Sequence, residues 1–455
     1  MARYQDPDPL DLLFFAADAA SRRARLLGAN IHLVTEVEGE LDLGRLKQAI
    51  AALHREYPVT AAKLVTGTFT GRPRWRLDMP PPHPNHVVQV HQIQPPTPDQ
   101  WRTEFERLFA TPIDAARFPP LRFHVLRGLA QGDVLVMRWP HALMDARGGG
   151  MMSEELDRLY EEAPDVNTLC SAGDETRDDF GALLARTTLR WRVQTFFGSV
   201  LRPNRQRRRF SQLVTEPIPT DLGRLRCVFR HFPASETKRI MDNAVRICGV
   251  ARFPDFLRAC ALRALHEVMP HPVPPDTLYT TLNLLGRRNR RQPLRWCCNL
   301  TSALPLAVPA GLIHDRQRVA DLFREQTGNQ LASDTPLRHA AILWLFTRLP
   351  TAWLAAGIKT RVSSGRRVTP WLGMGQTPSL PLGLMGPSTR PMATFCGCKL
   401  LNYYGGRPPL PDTGFALDAN VTAERLNITG VCYEKRVPVA TLTNLIDRLA
   451  GVLLE

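Results

Sequence analysis

Val134 to Tyr160 reads VLVMRWPHALMDARGGGMMSEELDRLY. Its first six residues, Val134-Leu135-Val136-Met137-Arg138-Trp139, are mostly β-branched or large and apolar, the composition of a strand. Pro140 ends the strand, because a proline cannot donate to a ladder. Gly148-Gly149-Gly150 then opens a helix. Met151, Met152, Leu156 and Leu159 mark its apolar side, and Glu154, Glu155, Asp157 and Glu161 fall on other faces. His141 lies in the loop between, with Asp145 four residues on. A lone histidine in such a loop is more often structural than catalytic. A strand end, an Asp at +4 and a glycine run where a ligand could approach the backbone narrow the reading to a site.

The chain has 455 residues, more than one ordinary core holds, so two domains are expected. The basic run Arg202-Pro203-Asn204-Arg205-Gln206-Arg207-Arg208-Arg209 has no apolar periodicity and suits a connection, which divides the chain into residues 1–200 and 201–455. Apolar residues make up 44% and charged residues 22%, which fits a globular rather than a disordered or membrane-embedded chain. No uninterrupted apolar run reaches about 18 residues, so no spanning helix is expected. The nearest approach is residues 339–358, HAAILWLFTRLPTAWLAAGI, where Arg348 and Pro350 break the run. It reads as two buried helical pieces, or as a surface lying against lipid.

The net charge of +15 favours an acidic partner. No recognition helix, zinc finger or aromatic-plus-basic strand motif accompanies the basic run, which argues against nucleic acid. An acidic carrier protein or an anionic membrane surface remains. The N-terminus lacks a basic region followed by an apolar core, so a cytoplasmic location is expected, with peripheral membrane contact as its variant. Nine cysteines without a CxxC pair imply reduced thiols and no metal site.

Periodicity predicts helices over residues 9–25, 43–56, 99–109, 180–200, 253–268, 319–330 and 439–453, with a further helix capped by Ser235 and helical parts in 337–360. Strands are expected over 30–39, 61–66, 87–90, 121–126, 134–137, 227–232, 278–285, 298–304, 399–404, 415–419 and 426–433. Residues 163–177 read as loop and Leu380 to Pro387 (LPLGLMGP) as an extended segment. Each half mixes strands and helices, and no GxGxxG loop marks a dinucleotide-binding unit.

His141-Ala142-Leu143-Met144-Asp145 resembles the HxxxD signature of the chloramphenicol-acetyltransferase-like superfamily. That group includes nonribosomal peptide condensation domains, wax ester synthase/diacylglycerol acyltransferases and polyketide-associated acyltransferases. A bare HxxxD is weak, but similar segments run along nearly the whole chain. NIHLVTEVEGELDLGRLKQAIAALHREYPVTAAKL resembles the family's opening strand, turn and helix. DFLRACALRALHEV resembles the first long helix of its second half. TLNLLGRR followed by NLTSALPL, and the closing ALDANVTAERLNITGVCYEKRVP, resemble later strands. The chain departs from the pattern at Pro140, where condensation domains carry a first His, and at Ala146, where they carry Gly. No DFGWG segment is recognisable, and LPLGLMGP has no Asn where relatives often carry a Ser-Asn pair.

The resemblance implies an α+β (α/β sandwich) fold of two tandem halves in a V shape around a central channel. It implies acyl transfer from a coenzyme A or phosphopantetheine thioester to an alcohol or amine, with His141 as general base. The donor is then a substrate, acyl-CoA or an acyl or peptidyl carrier protein, with no tightly bound cofactor. The acceptor is a small molecule or a lipid. Asp145 would brace the loop by pairing with Arg287 or Arg288. Backbone N–H groups at Gly148, Gly149 and Gly150 would face the oxyanion and substrate, and Asn299 would line the channel. Two alternatives stay open: a free-standing condensation enzyme joining carrier-bound substrates, and a non-catalytic binding module that keeps the fold.

Overall fold

The computed structural model describes residues 3–455 apart from 24–29, 67–70, 81, 95–96, 164–183, 186, 201–209, 215, 220, 287–296, 298, 300, 334, 347, 365–376, 386–391 and 423–424. In chain order the first half holds β1 (Tyr4–Gln5), α1 (Pro9–Arg23), β2 (Asn30–Val37), α2 (Leu43–Glu56), β3 (Lys63–Thr66), β4 (Pro73–Arg76), α3 (Pro84–Val87), β5 (Val88–Gln92), α4 (Pro98–Ala110), β6 (Arg122–Arg127), β7 (Val134–Pro140), α5 (Ala146–Glu162) and α6 (Leu189–Val200). The second holds β8 (Leu225–Phe232), α7 (Ala234–Cys248), α8 (Phe253–Glu267), β9 (Leu278–Gly286), β10 (Thr301–Pro309), α9 (Arg316–Ala332), α10 (Thr335–Phe346), α11 (Thr351–Ser363), β11 (Leu382–Met385), β12 (Thr394–Phe395), β13 (Cys398–Gly406), β14 (Phe415–Val421), β15 (Leu426–Tyr433) and α12 (Val439–Leu454).

β7 is buried along its whole length because it is an inner strand, antiparallel to both β2 and β6. Its sheet has six strands in the order β12-β13-β2-β7-β6-β5. Met137 and Trp139 point to a core shared with α2 and α5, and Val134 and Val136 point to a second core shared with α1 and α4. Arg138 is buried too. Its Nε donates to His32 Nε2 at 3.0 Å, Nη1 to His124 Nε2 at 3.3 Å, and Nη2 to the Thr111 carbonyl. These contacts supply acceptors to a cation that would otherwise be costly to bury.

The second half builds a four-stranded sheet, β11-β14-β15-β8, with α7, α8, α9 and α12 around its core. The hairpin β9–β10 touches that sheet through a bridge between Thr281 and Leu380. The result is an α+β fold of two lobes. A division at residue 200 separates them only in part. β12 and β13 leave the second half and join the first half's sheet, where β13 pairs antiparallel with β2 from Leu400↔Val37 to Gly406↔His32.

Most expected elements are present, with shifted ends. Ser235 is not a cap: α7 starts at Ala234 behind Pro233, with no side-chain cap bond. The helix expected over 180–200 begins at Leu189, where Thr188 Oγ1 accepts the Trp191 N–H at 3.2 Å. Residues 180–183, the loop expected over 163–177 except for Ala163, the connecting run at 202–209, and the end of LPLGLMGP lie outside the described residues. Among the described residues no helix is long and apolar enough to cross a membrane, and no group of three His, Cys, Asp or Glu could hold a metal ion.

Candidate active site

His141 follows the last residue of β7 in a tight turn, closed by the Leu143 N–H donating to the Pro140 carbonyl at 2.8 Å. Trp139 fixes the next residues from below: its indole N–H donates to the Met144 carbonyl at 2.9 Å. Asp145 then caps α5. Its Oδ1 accepts the Gly148 N–H at 2.8 Å, and its main-chain carbonyl accepts the Gly149 N–H at 3.0 Å. Its Oδ2 accepts the Thr301 hydroxyl at 3.1 Å, a contact that crosses from the second half. Arg287 and Arg288, the expected partners of Asp145, lie outside the described residues.

The glycine run has a packing reason. A Cβ at 149 would overlap the Trp139 ring, so only glycine lets the first turn of α5 sit on the indole. The N–H groups of Gly148 and Gly149, expected to face an oxyanion, are instead committed to Asp145. Gly150 lies within the helix, and a Cβ there would meet the Tyr403 hydroxyl at an ordinary 3.6 Å.

His141 itself is held from two directions. Phe14 of α1 stacks on the imidazole, with ring centroids 3.7 Å apart and planes 12° from parallel. Asn299 Nδ2 donates to the His141 main-chain carbonyl at 2.6 Å and to Asp11 Oδ1 at 2.7 Å. Asp11 lies one turn before Phe14 on α1, and its Oδ1 also accepts the Asn299 N–H at 3.2 Å. Burial drives the Asp11 carboxyl well above the usual carboxylate range, and Asp8 adds to the rise. Asn299, expected to line the channel, clamps α1 to the histidine turn.

Burial also lowers the His141 pKa to about 4, reinforced by the Arg407 cation and opposed by Asp145. The imidazole is therefore neutral at pH 7. Its Nδ1 is buried and makes no hydrogen bond of good geometry among the described residues. The histidine's own carbonyl lies near enough to favour a proton on the ring. Arg407 follows β13. Its Nε donates to Asp418 Oδ1 at 3.2 Å and its Nη2 to the Pro381 carbonyl at 3.3 Å.

The structure thus brings His141, Asp145, the glycines and Asn299 into one cluster and adds Asp11, Phe14, Thr301 and Arg407. No local pattern marks those four. Asp11 and Asn299 are 288 positions apart, and Asp11 shows only as an acid inside the apolar run PLDLLFF.

Comparison with known proteins bears on the family and the fold. The wax ester synthase/diacylglycerol acyltransferase catalytic domain matches residues 8–236. No curated protein matches the chain in sequence. Among solved structures, the first condensation domain of the calcium-dependent antibiotic synthetase superposes with a TM-score of 0.70 at 16% identity, covering 100% of this chain and 96% of that one. Trichothecene 15-O-acetyltransferase from Fusarium sporotrichioides gives 0.65 at 12% identity, with 100% and 94% covered. The epimerization domain from the third module of tyrocidine synthetase B gives 0.62 at 14%, with 100% and 96% covered. At these identities the likeness is one of fold.

Proposed function

Since the chain belongs to the wax ester synthase/diacylglycerol acyltransferase catalytic-domain family, we propose that it moves an acyl group from a thioester to an alcohol or amine, with His141 as general base. The donor is a thioester of coenzyme A or of a carrier protein's phosphopantetheine arm. The observation that carries this reading is a neutral, rigidly held imidazole at the turn where α1, β7 and the start of β10 meet. A base that is already neutral accepts a proton without first losing one. Nδ1 is buried, so in this reading Nε2 is the nitrogen that meets the substrate, with the resting proton on Nδ1.

The acceptor hydroxyl or amine gives its proton to Nε2 as its oxygen or nitrogen attacks the thioester carbonyl. Collapse of the tetrahedral intermediate breaks the C–S bond, and the leaving thiolate takes the proton from His141. The oxyanion needs positive potential. Arg407, whose charge acts on His141, contributes to that field from the second half while its Nε and Nη2 are donated to Asp418 and the Pro381 carbonyl.

The test is mass spectrometry of products from a panel of acyl thioesters with alcohols and amines. His141→Ala lowers turnover by about 10²–10⁴-fold, the usual range for a general base. The acid limb of kcat/KM falls near pH 4, the lowered pKa of His141, instead of near the ordinary histidine value. Undiminished transfer by His141→Ala would sink the general-base reading. Use of carrier-bound but not CoA thioesters would point to a condensation enzyme, and binding without turnover to a binding module.

A further inference from the structure

The segments 184–200 and 335–363, which hold α6, α10 and α11, contain no Asp or Glu, although the chain as a whole has 43. Their described residues include six cations: Arg190, Arg192, Arg338, Arg348, Lys359 and Arg361. The three helices gather around α1, on which α10 and α11 each pack. α6 packs on α10, and α11 packs on α1 through Leu354, Ala355 and Ile358. Arg192 of α6 and Arg348, between α10 and α11, both lie against the Trp344 ring, at 4.9 and 4.7 Å from its centroid.

The exposed residues of these helices are apolar as well as basic. On α11, Leu354, Ala355 and Ile358 turn inward, while Ala352, Trp353, Ala356 and Lys359 face out. Trp353 is 69% exposed. Leu349, in the turn just before α11, is 40% exposed, and Phe197 of α6 is 50% exposed. Single exposed apolar residues need no explanation. An exposed tryptophan and leucine set among cations, on helices without acids, match the chemistry of an interfacial surface: aromatic bodies at headgroup depth and cations against anionic lipid.

We propose that α6, α10 and α11 form a docking face for an anionic lipid bilayer. α1 lies directly beneath, with one side against α11 and Phe14 against His141. Docking here holds the catalytic turn one helix away from the membrane. That purpose rests on the acyl-transfer reading, and the docking itself does not.

The test is co-sedimentation of the full chain with vesicles of equal parts phosphatidylcholine and phosphatidylglycerol, and with phosphatidylcholine alone. The chain binds the anionic vesicles, binds the neutral ones weakly, and is released by salt. Trp353→Ser and Lys359→Glu each lower the partition coefficient about tenfold. Both positions face solvent, and unchanged circular-dichroism melting shows that the variants fold. No vesicle binding, or binding indifferent to these substitutions, overturns the proposal. So does capture of an acidic carrier protein through Trp353 and Lys359 without vesicle binding. Turnover of water-soluble thioester and alcohol is measured alongside, without vesicles. Vesicle binding with no turnover defeats the acyl-transfer reading and leaves the docking face standing; turnover without vesicle binding does the reverse.

Discussion

Asn299 grips His141 by its main chain, and Phe14 stacks on the ring. The catalytic histidine of a triad is oriented by a carboxylate on its far nitrogen. Here a flat apolar ring and a main-chain clamp do the orienting, and Asp145 is occupied with the helix and Thr301. Removing the clamp should therefore act on geometry. Asn299→Ala lowers kcat by up to about 10²-fold, the penalty for a misplacement of about an ångström, with KM little changed. Steady-state kinetics on soluble substrates check this. A variant that raises KM and spares kcat would make Asn299 a substrate contact instead.

The start of α5 shows why one element can be legible while its purpose is not. The strand, the turn and the helix follow from consecutive residues: an apolar run, a proline, then an acid three residues before Gly148. The reason for the glycines lies in how close the helix comes to Trp139, which no sequence spacing states. Gly149→Ala forces a methyl into the indole and destabilises the chain by about 1–3 kcal/mol. Gly150→Ala meets ordinary space and gains about 0.5–1 kcal/mol from helix propensity. Chemical denaturation of the two variants separates them, and equal losses at both sites would show that helix entry, not the indole, sets the requirement. The contacts from Asp11, Phe14 and Thr301 were illegible for a related reason. They join segments more than a hundred residues apart, and periodicity informs only about neighbours.

At the scale of the molecule, two mixed halves could be read from the order of strands and helices, and the kind of fold from the resemblance carried by HALMD and its flanking segments. The crossing of β12 and β13 into the first sheet could not, because a strand's own residues do not name the sheet it joins. The crossing makes the first half incomplete on its own. A fragment of residues 1–200 lacks β13 and bares β2 as an eight-residue edge strand, open to pairing with other chains. Expressed alone it associates, and size-exclusion chromatography checks this. A monomeric fragment with a cooperative unfolding transition would show that β13 is dispensable to the first core.

The same crossing sets a timetable for biosynthesis. A ribosome adding about 5–20 residues per second finishes β2 and β7 long before it reaches β13, an interval of some tens of seconds. Throughout that interval the nascent first sheet presents the β2 edge, beside the strand that leads into His141. The histidine turn lacks its Asn299 and Thr301 clamps for part of the same interval, because β10 is also still to come. The histidine turn therefore gains its clamps only once the second half is under way, and the β2 edge is where a chaperone has the longest time to act.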